Sequence, residues 1–336
     1  MTRESITSHL SRYSKWYIYG LFFCFALETI YCNYVFLYTQ NVTTGLAHRQ
    51  ASLNFYLKTL SGTEGFPYQW RILASYLVWL GQSFTGLDPN IIDAGLKVVF
   101  LFLAALFLYW FSRFYLPLGT AALIVFIFFI QTTVGLSEGY TIYTTNDMAF
   151  CAGWFCCVYL AHQRRFLPLA LIVLVITLAR EVTILTVFLV LLSWRRKNAS
   201  LSDVLLTALS FAVPFVFLRL LYPAPVGDWA FWGYFSKNIP FLQSEMTEIL
   251  NTLRYNFKAL LLYNVLLITS IRYLWRRNDP FLLDLAVSGL LYIALIYWVG
   301  YVREVRLFLP LAILINPIGV KELLFLTKEG DSPQMR

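Results

Sequence analysis

Two groups of charged residues lie inside otherwise apolar sequence and could hold an anion or move a proton. One is Arg180-Glu181, in the apolar run 166–193, and the other is Arg303-Glu304-Val305-Arg306, close to the C-terminus. Charged side chains at bilayer depth cost about 2.5–3.5 kcal/mol each on insertion scales and usually serve a function. Arginine binds phosphate at two points, and a carboxylate accepts a proton from a hydroxyl. The pattern indicates an anion-binding site beside a base. The alternative is that the acid and the bases within each group neutralise one another and only hold helices together.

The composition around these groups is typical of a membrane protein. The chain is 59% hydrophobic and only 13% charged. Its apolar runs approach the ~20 residues that cross a bilayer and do not alternate as barrel strands do. We therefore expect an all-α fold, a polytopic integral membrane helical bundle with about 8–10 membrane segments, in which residues 1–336 form a single transmembrane domain. Such a multi-pass protein would belong to a bacterial inner membrane or the endoplasmic reticulum.

The positive charge of the chain predicts its orientation rather than a nucleic-acid partner. The formal net charge of +8 lies mostly in short loops, whereas nucleic-acid binding needs a basic face or stripe. The basic clusters that should face the cytoplasm are the N-terminus, Gln163-Arg164-Arg165, Arg195-Arg196-Lys197, Arg276-Arg277 and the tail from Lys321.

The run 166–193 carries a basic cluster at both ends. Its 28 residues are too few for two spans, which need about 40. The charged pair at Arg180 lies in its middle. We therefore predict a re-entrant hairpin, in which two half-length helices meet at Arg180, because broken helices are tolerated where they line a cavity.

Two longer segments are predicted to lie outside the membrane on the non-cytoplasmic side. Residues 39–69 form an outer loop with an amphipathic helix, since Leu53, Tyr56, Leu57 and Leu60 fall on one helical face. Residues 223–256 form an outer loop whose aromatic residues are typical of the headgroup level of a membrane. The alternative is that these aromatic residues stack on a sugar ring.

The number of spans in the N-terminal half follows from its two ends. The N-terminus and Arg164 should both face the cytoplasm, so the chain between them should cross the membrane an even number of times. Five apolar runs lie between them, 16–38, 70–87, 94–115, 118–136 and 148–162. One of the five should therefore not span, and the run 70–87 is the weakest.

Several short motifs occur in an order that resembles the multi-pass membrane glycosyltransferases of the GT-C class and their relatives. The matching positions are Tyr68 to Leu73, Asp147, Arg180-Glu181-Val182-Thr183, and Glu304 through Arg306 to Pro310. The resemblance covers most of the chain in layout and rests on short, degenerate motifs. It implies a GT-C-like bundle that moves a sugar from a polyprenyl phosphate donor to an acceptor on the non-cytoplasmic face. It also implies a carboxylate that activates the acceptor and cations that hold the donor phosphate.

The chain departs from this class in its first outer loop, where such enzymes commonly carry a catalytic Asp. Between Thr29 and Trp70 there is no Asp, and Glu64 is the only acid. The candidate catalytic residues are Asp147, which we rank first, Glu64, Glu138 and Glu304. The candidate substrate-binding residues are Arg71, Arg180, Glu181, Arg303 and Arg306. The alternative for Asp147 is that it only caps the start of a helix. The alternative for Arg71 is that its side chain only extends its charged end to the membrane interface.

Other classes of function stay open at the level of the sequence. Broken helices and intramembrane ion pairs also define the sites of transporters and flippases, although no repeat relates the two halves of this chain. A non-catalytic membrane scaffold is the third alternative. The five cysteines show no metal-ligand spacing with histidine or carboxylates, so we expect no cofactor and leave a divalent cation open. The expected partners are membrane lipid and a lipid-linked sugar donor, and the sequence names no protein partner.

Overall fold

The computed structural model describes residues 15–32, 54, 56–61, 71–137, 144–222, 239, 245–299 and 305–330. Across these residues the chain is helical and forms no strand, which confirms the predicted all-α class. The helices in chain order are α1 (15–32), α2 (56–60), α3 (Leu73–Thr85), α4 (Pro89–Ser112), α5 (Leu118–Ser137), α6 (Thr144–His162), α7 (Phe166–Ile176), α8 (Ile184–Arg195), α9 (Leu201–Leu221), α10 (Met246–Arg277), α11 (Pro280–Val299) and α12 (Ala312–Gly330). Two 3-10 turns, Glu181–Thr183 and Val305–Leu311, precede α8 and α12.

Several helices have the length and composition of membrane spans. In the part of the chain that the structure describes, four helical stretches are long and apolar enough to cross a membrane: Pro89–Ser112, Leu201–Leu221, Pro280–Trp298 and Leu307–Leu326. Helix α3 has 13 residues and extends about 20 Å, which is less than the ~30 Å hydrocarbon layer. The helix that lies within the apolar run 70–87 is therefore too short to cross by itself.

A tight turn connects α3 to α4 because of the residues at the two helix ends. Gly86 adopts a left-handed conformation (φ 68°), and its N–H donates to the carbonyl of Gln82, which ends α3. The carboxylate of Asp88 then accepts from the backbone N–H of Asn90 at 2.8 Å, and Pro89 occupies the first position of α4. The two helices pack against each other directly after this turn.

Helix α6 is the central helix of the bundle. Every residue of α6 except Tyr159 and His162 is buried. Helices α3, α4, α7 and α8 pack around it, together with the 3-10 turn Val305–Leu311. Its first four residues, Thr144 to Asp147, are polar and are also buried. They therefore require hydrogen-bond or ion-pair partners in the interior.

Two of the basic clusters, those at Arg164 and at Arg196, meet at one end of the bundle. The guanidinium of Arg164 donates to the side-chain oxygen of Asn198 at 2.8 Å, so the start of α7 and the end of α8 lie side by side. Arg196 pairs with Asp284, near the start of α11, at 2.7 Å. We call the region around Arg164, Arg196 and Asp284 the basic end.

The two predicted outer loops lie mostly outside the described residues. In the first loop, the described residues 56–60 are helical, with Tyr56 buried and Leu57 exposed. In the second, α10 begins at Met246, within the segment that we assigned to the aromatic loop. This part of the segment contains five good helix formers, Met246, Glu248, Leu250, Leu253 and Arg254, and α10 begins ahead of the apolar run 257–275.

Helices α10 and α12 approach each other closely at a glycine. A side chain added at Gly319 would place its Cβ 2.6 Å from the backbone oxygen of Leu266. The hydroxyl of Ser270 also donates to the carbonyl of Ile315 at 3.0 Å across the same interface. Close backbone approach through small residues is a recurring way in which membrane helices associate.

We expect Gly319→Ala to destabilise the folded chain by about 1–3 kcal/mol, because the new methyl group would meet backbone atoms that cannot move aside. The purified protein is heated in detergent, and the height of its monodisperse elution peak is measured. The measurement is the temperature at which this height falls to half. Gly20→Ala is the control, since nothing lies within 4 Å of a Cβ there. Equal midpoints for the two variants would contradict the close packing of α10 on α12.

Candidate functional site

The site is built at the break between α7 and α8. Helix α7 ends at Ile176, Arg180 is extended (φ −155°, ψ 135°), and the 3-10 turn starts at Glu181. The hydroxyl of Thr183 donates to the carbonyl of Arg180 at 2.6 Å, and the N–H of Leu73 donates to the carbonyl of Leu178 at 3.0 Å. These bonds satisfy backbone groups that the break releases, which irregular backbone in a membrane protein requires.

The first ion pair of the site joins the helix break to the central helix. The Arg180 guanidinium lies 3.0 Å from Asp147, and both side chains are about nine-tenths or more buried. Asp147 lies in the first turn of α6, where the helix dipole also favours a negative charge. The Nε of Arg180 is buried and has no hydrogen-bond acceptor among the described residues. The guanidinium therefore keeps a donor for a further acceptor.

The second ion pair uses one edge of the Arg71 guanidinium. Its Nη2 and Nε donate to the two oxygens of Glu181, at 2.9 and 3.3 Å. This bidentate geometry fixes both direction and distance between the start of α3 and the helix break. Arg180 and Glu181 are thus neighbours in sequence that face separate partners, Asp147 and Arg71.

Asn146 holds the two ion pairs together. Its amide nitrogen donates to the backbone carbonyl of Arg71 at 3.0 Å, and its amide oxygen accepts from the backbone N–H of Ala74 at 3.1 Å. The residue is almost fully buried. Because Asn146 precedes Asp147 on α6, it sets the position of α3 relative to the Asp147–Arg180 pair.

A second polar network adjoins the site on the same turn of α6. The hydroxyls of Tyr56 and Thr145 both donate to one oxygen of Asp93, and the ammonium of Lys97 lies 2.6 Å from the other. Asp93 and Lys97 are buried within α4. Sequence reasoning missed this network, although an acid and a base four residues apart at the start of an apolar run were a visible signal.

Two further side chains extend the site towards α9 and α11. Arg219 lies within electrostatic range of Glu181, with its guanidinium 3.4 Å from the centre of the Phe215 ring. The hydroxyl of Tyr292 donates to the carbonyl of Leu307 at 2.6 Å. Tyr292 also lies within electrostatic range of Asp147 and of Arg180. The turn that begins at Val305 is therefore held beside the site.

The structure brings together every predicted site residue whose side chain it describes. These residues are Arg71, Asp147, Arg180 and Glu181. Glu64, Glu138, Arg303 and Glu304 lie outside the described residues, and Arg306 is described only in its backbone. Among the described side chains, no group of three or more His, Cys, Asp or Glu residues is arranged to hold a metal ion.

The chain matches no known family model, no curated protein and no solved structure.

We expect Asp147→Asn to destabilise the protein by about 3–5 kcal/mol, because it leaves the buried Arg180 guanidinium without its counter-charge. Arg180→Gln should do the same to Asp147. The double variant should be less unstable than the sum of the two, with a coupling of about 0.5–3 kcal/mol. Thermal unfolding midpoints of the four proteins in one detergent measure this cycle.

Arg195→Gln provides the control for the loss of one arginine, since Arg195 is exposed at the basic end. It should leave the midpoint close to that of the unmodified chain. Strictly additive effects of the Asp147 and Arg180 substitutions would show that the two charges do not interact.

Proposed function

We propose that this chain is a multi-pass membrane glycosyltransferase that moves a sugar from a polyprenyl phosphate donor to an acceptor on the non-cytoplasmic face. The observation that carries the proposal is the convergence of Arg71, Asp147, Arg180 and Glu181 at the break between α7 and α8. These residues were selected from the sequence as the parts of a phosphate- and hydroxyl-handling site. Their contact within one low-dielectric site strengthens every charge interaction there.

The proposed donor site depends on arginine. Arg180 has a buried Nε without an acceptor among the described residues, as expected for a group that binds an anion such as a phosphate oxygen. In the proposal, the donor phosphate is held mainly by Arg303 and Arg306, with Arg180 as a further contact. The hydrogen bond from Tyr292 to Leu307 supports this role because Leu307 directly follows Arg306.

The proposed base is Asp147, whose carboxylate lies 3.0 Å from the Arg180 guanidinium. In the proposal, the donor phosphate draws Arg180 towards itself, and the carboxylate turns to the acceptor hydroxyl. Asp147 then takes the proton of the acceptor hydroxyl, the acceptor oxygen bonds to the anomeric carbon, and the bond from that carbon to the phosphate oxygen breaks. The polyprenyl phosphate leaves with the bonding electron pair, and the configuration of the sugar inverts.

The proposed topology makes α7 and α8 a re-entrant hairpin. The helices have 11 and 12 residues, about 16 and 18 Å, so each reaches roughly half-way through a bilayer. The contact of Arg164 with Asn198 supports a common side for their outer ends. The charged site then lies at membrane depth and on the side of the break away from the basic end.

A transporter or flippase is the second candidate function. The broken helix and the two ion pairs favour it, because discontinuous helices also form the substrate sites of transporters. In that case the arginines would bind an anionic solute without a bond-breaking step.

The functional test uses the purified full chain in detergent with a panel of polyprenyl phosphate sugars, scored by donor hydrolysis or transfer. We expect Asp147→Asn to lower turnover by about 10²–10⁴-fold, the usual contribution of a positioned acid–base group. Arg306→Lys should also lower turnover, because lysine loses the two-point contact with phosphate. Asp203→Asn is the matched control, since Asp203 only caps the start of α9.

Donor binding is measured in the same samples, so that loss of the fold and loss of chemistry are separated. Asp147→Asn protein that keeps donor binding but loses turnover supports a base. Absence of binding for every polyprenyl phosphate, together with ion-coupled uptake of a solute into vesicles, would overturn the transferase and favour the transporter. Absence of both activities would favour a scaffold.

The hairpin is tested with single cysteines at Gln163 and Asn198 in a cysteine-free chain. Both substitutions keep every arginine and lysine of the flanking basic clusters. A membrane-impermeant thiol reagent should label both from the same side of sealed vesicles. It should label a cysteine at Ser83, which is exposed near the end of α3, from the other side. Labelling of positions 163 and 198 from opposite sides would rule the hairpin out.

A further inference from the structure

A second charged cavity lies at the basic end, away from the helix break. It has a volume of about 240 Å³ and lies between the loop after α4, the end of α10 and the middle of α12. Its position at the basic end follows from Tyr115, whose ring lies 5.8 Å from that of His162, which in turn contacts Phe281 at the start of α11. The cavity is separate from the Asp147 site, which lies at the opposite end of α6.

The charges that line this cavity do not balance. Its charged lining residues are Arg276, Arg277, Lys321 and Glu322. The carboxylate of Glu322 is almost fully buried and already lies 3.2 Å from Arg272 and 3.4 Å from Arg276. Its negative charge is therefore held by these two arginines.

Arg277 and Lys321 form no ion pair with the described residues and contact aromatic rings instead. The Lys321 ammonium lies 5.3 Å from the centre of the Tyr115 ring and 5.2 Å from that of Tyr273. The Arg277 guanidinium lies 5.9 Å from the centre of the Phe325 ring. A ring face attracts and positions a cation. It does not accept the N–H groups of the cation in the strong hydrogen bonds that an anion forms.

A further donor lies at the wall of the cavity. The hydroxyl of Tyr115 is buried and has no hydrogen-bond partner among the described residues. Burial raises the pKa of this phenol, so it stays protonated. The hydroxyl would therefore be stabilised by a ligand that accepts its hydrogen bond. Trp275, which precedes Arg276 on α10, is 89% exposed, as an aromatic side chain at the headgroup level of a membrane would be.

We propose that this cavity binds the phosphate headgroup of an anionic membrane lipid, with Arg277 and Lys321 as the contacts that recognise its charge. Basic cavities between helices at the cytoplasmic side suit such headgroups, since that leaflet carries the anionic lipids. The apolar side chains beside it, such as Leu324, lie where acyl chains would continue from the headgroup. The same phosphate chemistry would also fit free phosphate, and the experiment separates the two sources.

The test counts lipids on the full-length chain by native mass spectrometry after exchange into detergent with phosphatidylglycerol or phosphatidylcholine. We expect preferential retention of phosphatidylglycerol. Because each basic residue near an anionic surface contributes about five-fold in affinity, the double variant Arg277→Gln/Lys321→Gln should bind it about 30-fold more weakly. The charge-preserving pair Arg277→Lys/Lys321→Arg should retain most of the binding, which excludes loss of fold as the cause.

The control variant Arg195→Gln/Lys197→Gln removes two exposed charges from the same end but outside the cavity, and should bind as the unmodified chain does. Equal loss in the control and cavity variants would overturn the proposal in favour of non-specific attraction. Displacement of the lipid by millimolar inorganic phosphate, or equal retention of the zwitterionic lipid, would also overturn it.

Discussion

The structure depends most on the need to pair charges that the bundle buries. Asp147 and Arg180 lie 3.0 Å apart, both nearly excluded from water, and either one alone would be a buried ion without compensation. This requirement brings the start of α6 against the break between α7 and α8. Asn146 then attaches the segment at Arg71 to the same place, and Arg71 pairs with Glu181. One electrostatic constraint thus sets the mutual positions of α3, α6, α7 and α8.

The break in the helix is what allows adjacent residues to serve different partners. In a continuous helix, successive side chains differ in direction by only about 100°. The extended backbone at Arg180 changes this relation, so that Arg180 contacts Asp147 while Glu181 contacts Arg71. The released backbone groups are satisfied by the hydroxyl of buried Thr183 and by the backbone N–H of half-buried Leu73. A segment that is irregular by the standards of a membrane helix is therefore well bonded.

The balance of acidic and basic residues differs between the two ends of the bundle. At the helix break, acids and bases occur in equal numbers among the residues that form the two ion pairs, and one arginine keeps a donor for a further acceptor. At the basic end, Arg277 and Lys321 contact aromatic rings. A balanced site can bind a charged substrate and move a proton, whereas an excess of positive charge can only attract anions. The first arrangement suits the proposed chemistry, and the second suits attachment to a lipid surface.

The sequence by itself determined the helical class, the approximate positions of the apolar helices and the position of the break, because hydropathy and charge act locally along the chain. It also identified Arg180 and Glu181 as candidates, since charge within apolar sequence is conspicuous wherever the chain folds. Arg71 and Asp147 became candidates through short motifs that resemble those of membrane glycosyltransferases. Only the tertiary structure decided which charges pair. Arg71 and Glu181 are 110 residues apart, and Thr145 reaches Asp93 across 52. Such partners are chosen by how whole helices pack, and helical periodicity carries no information about which helix a given face will meet.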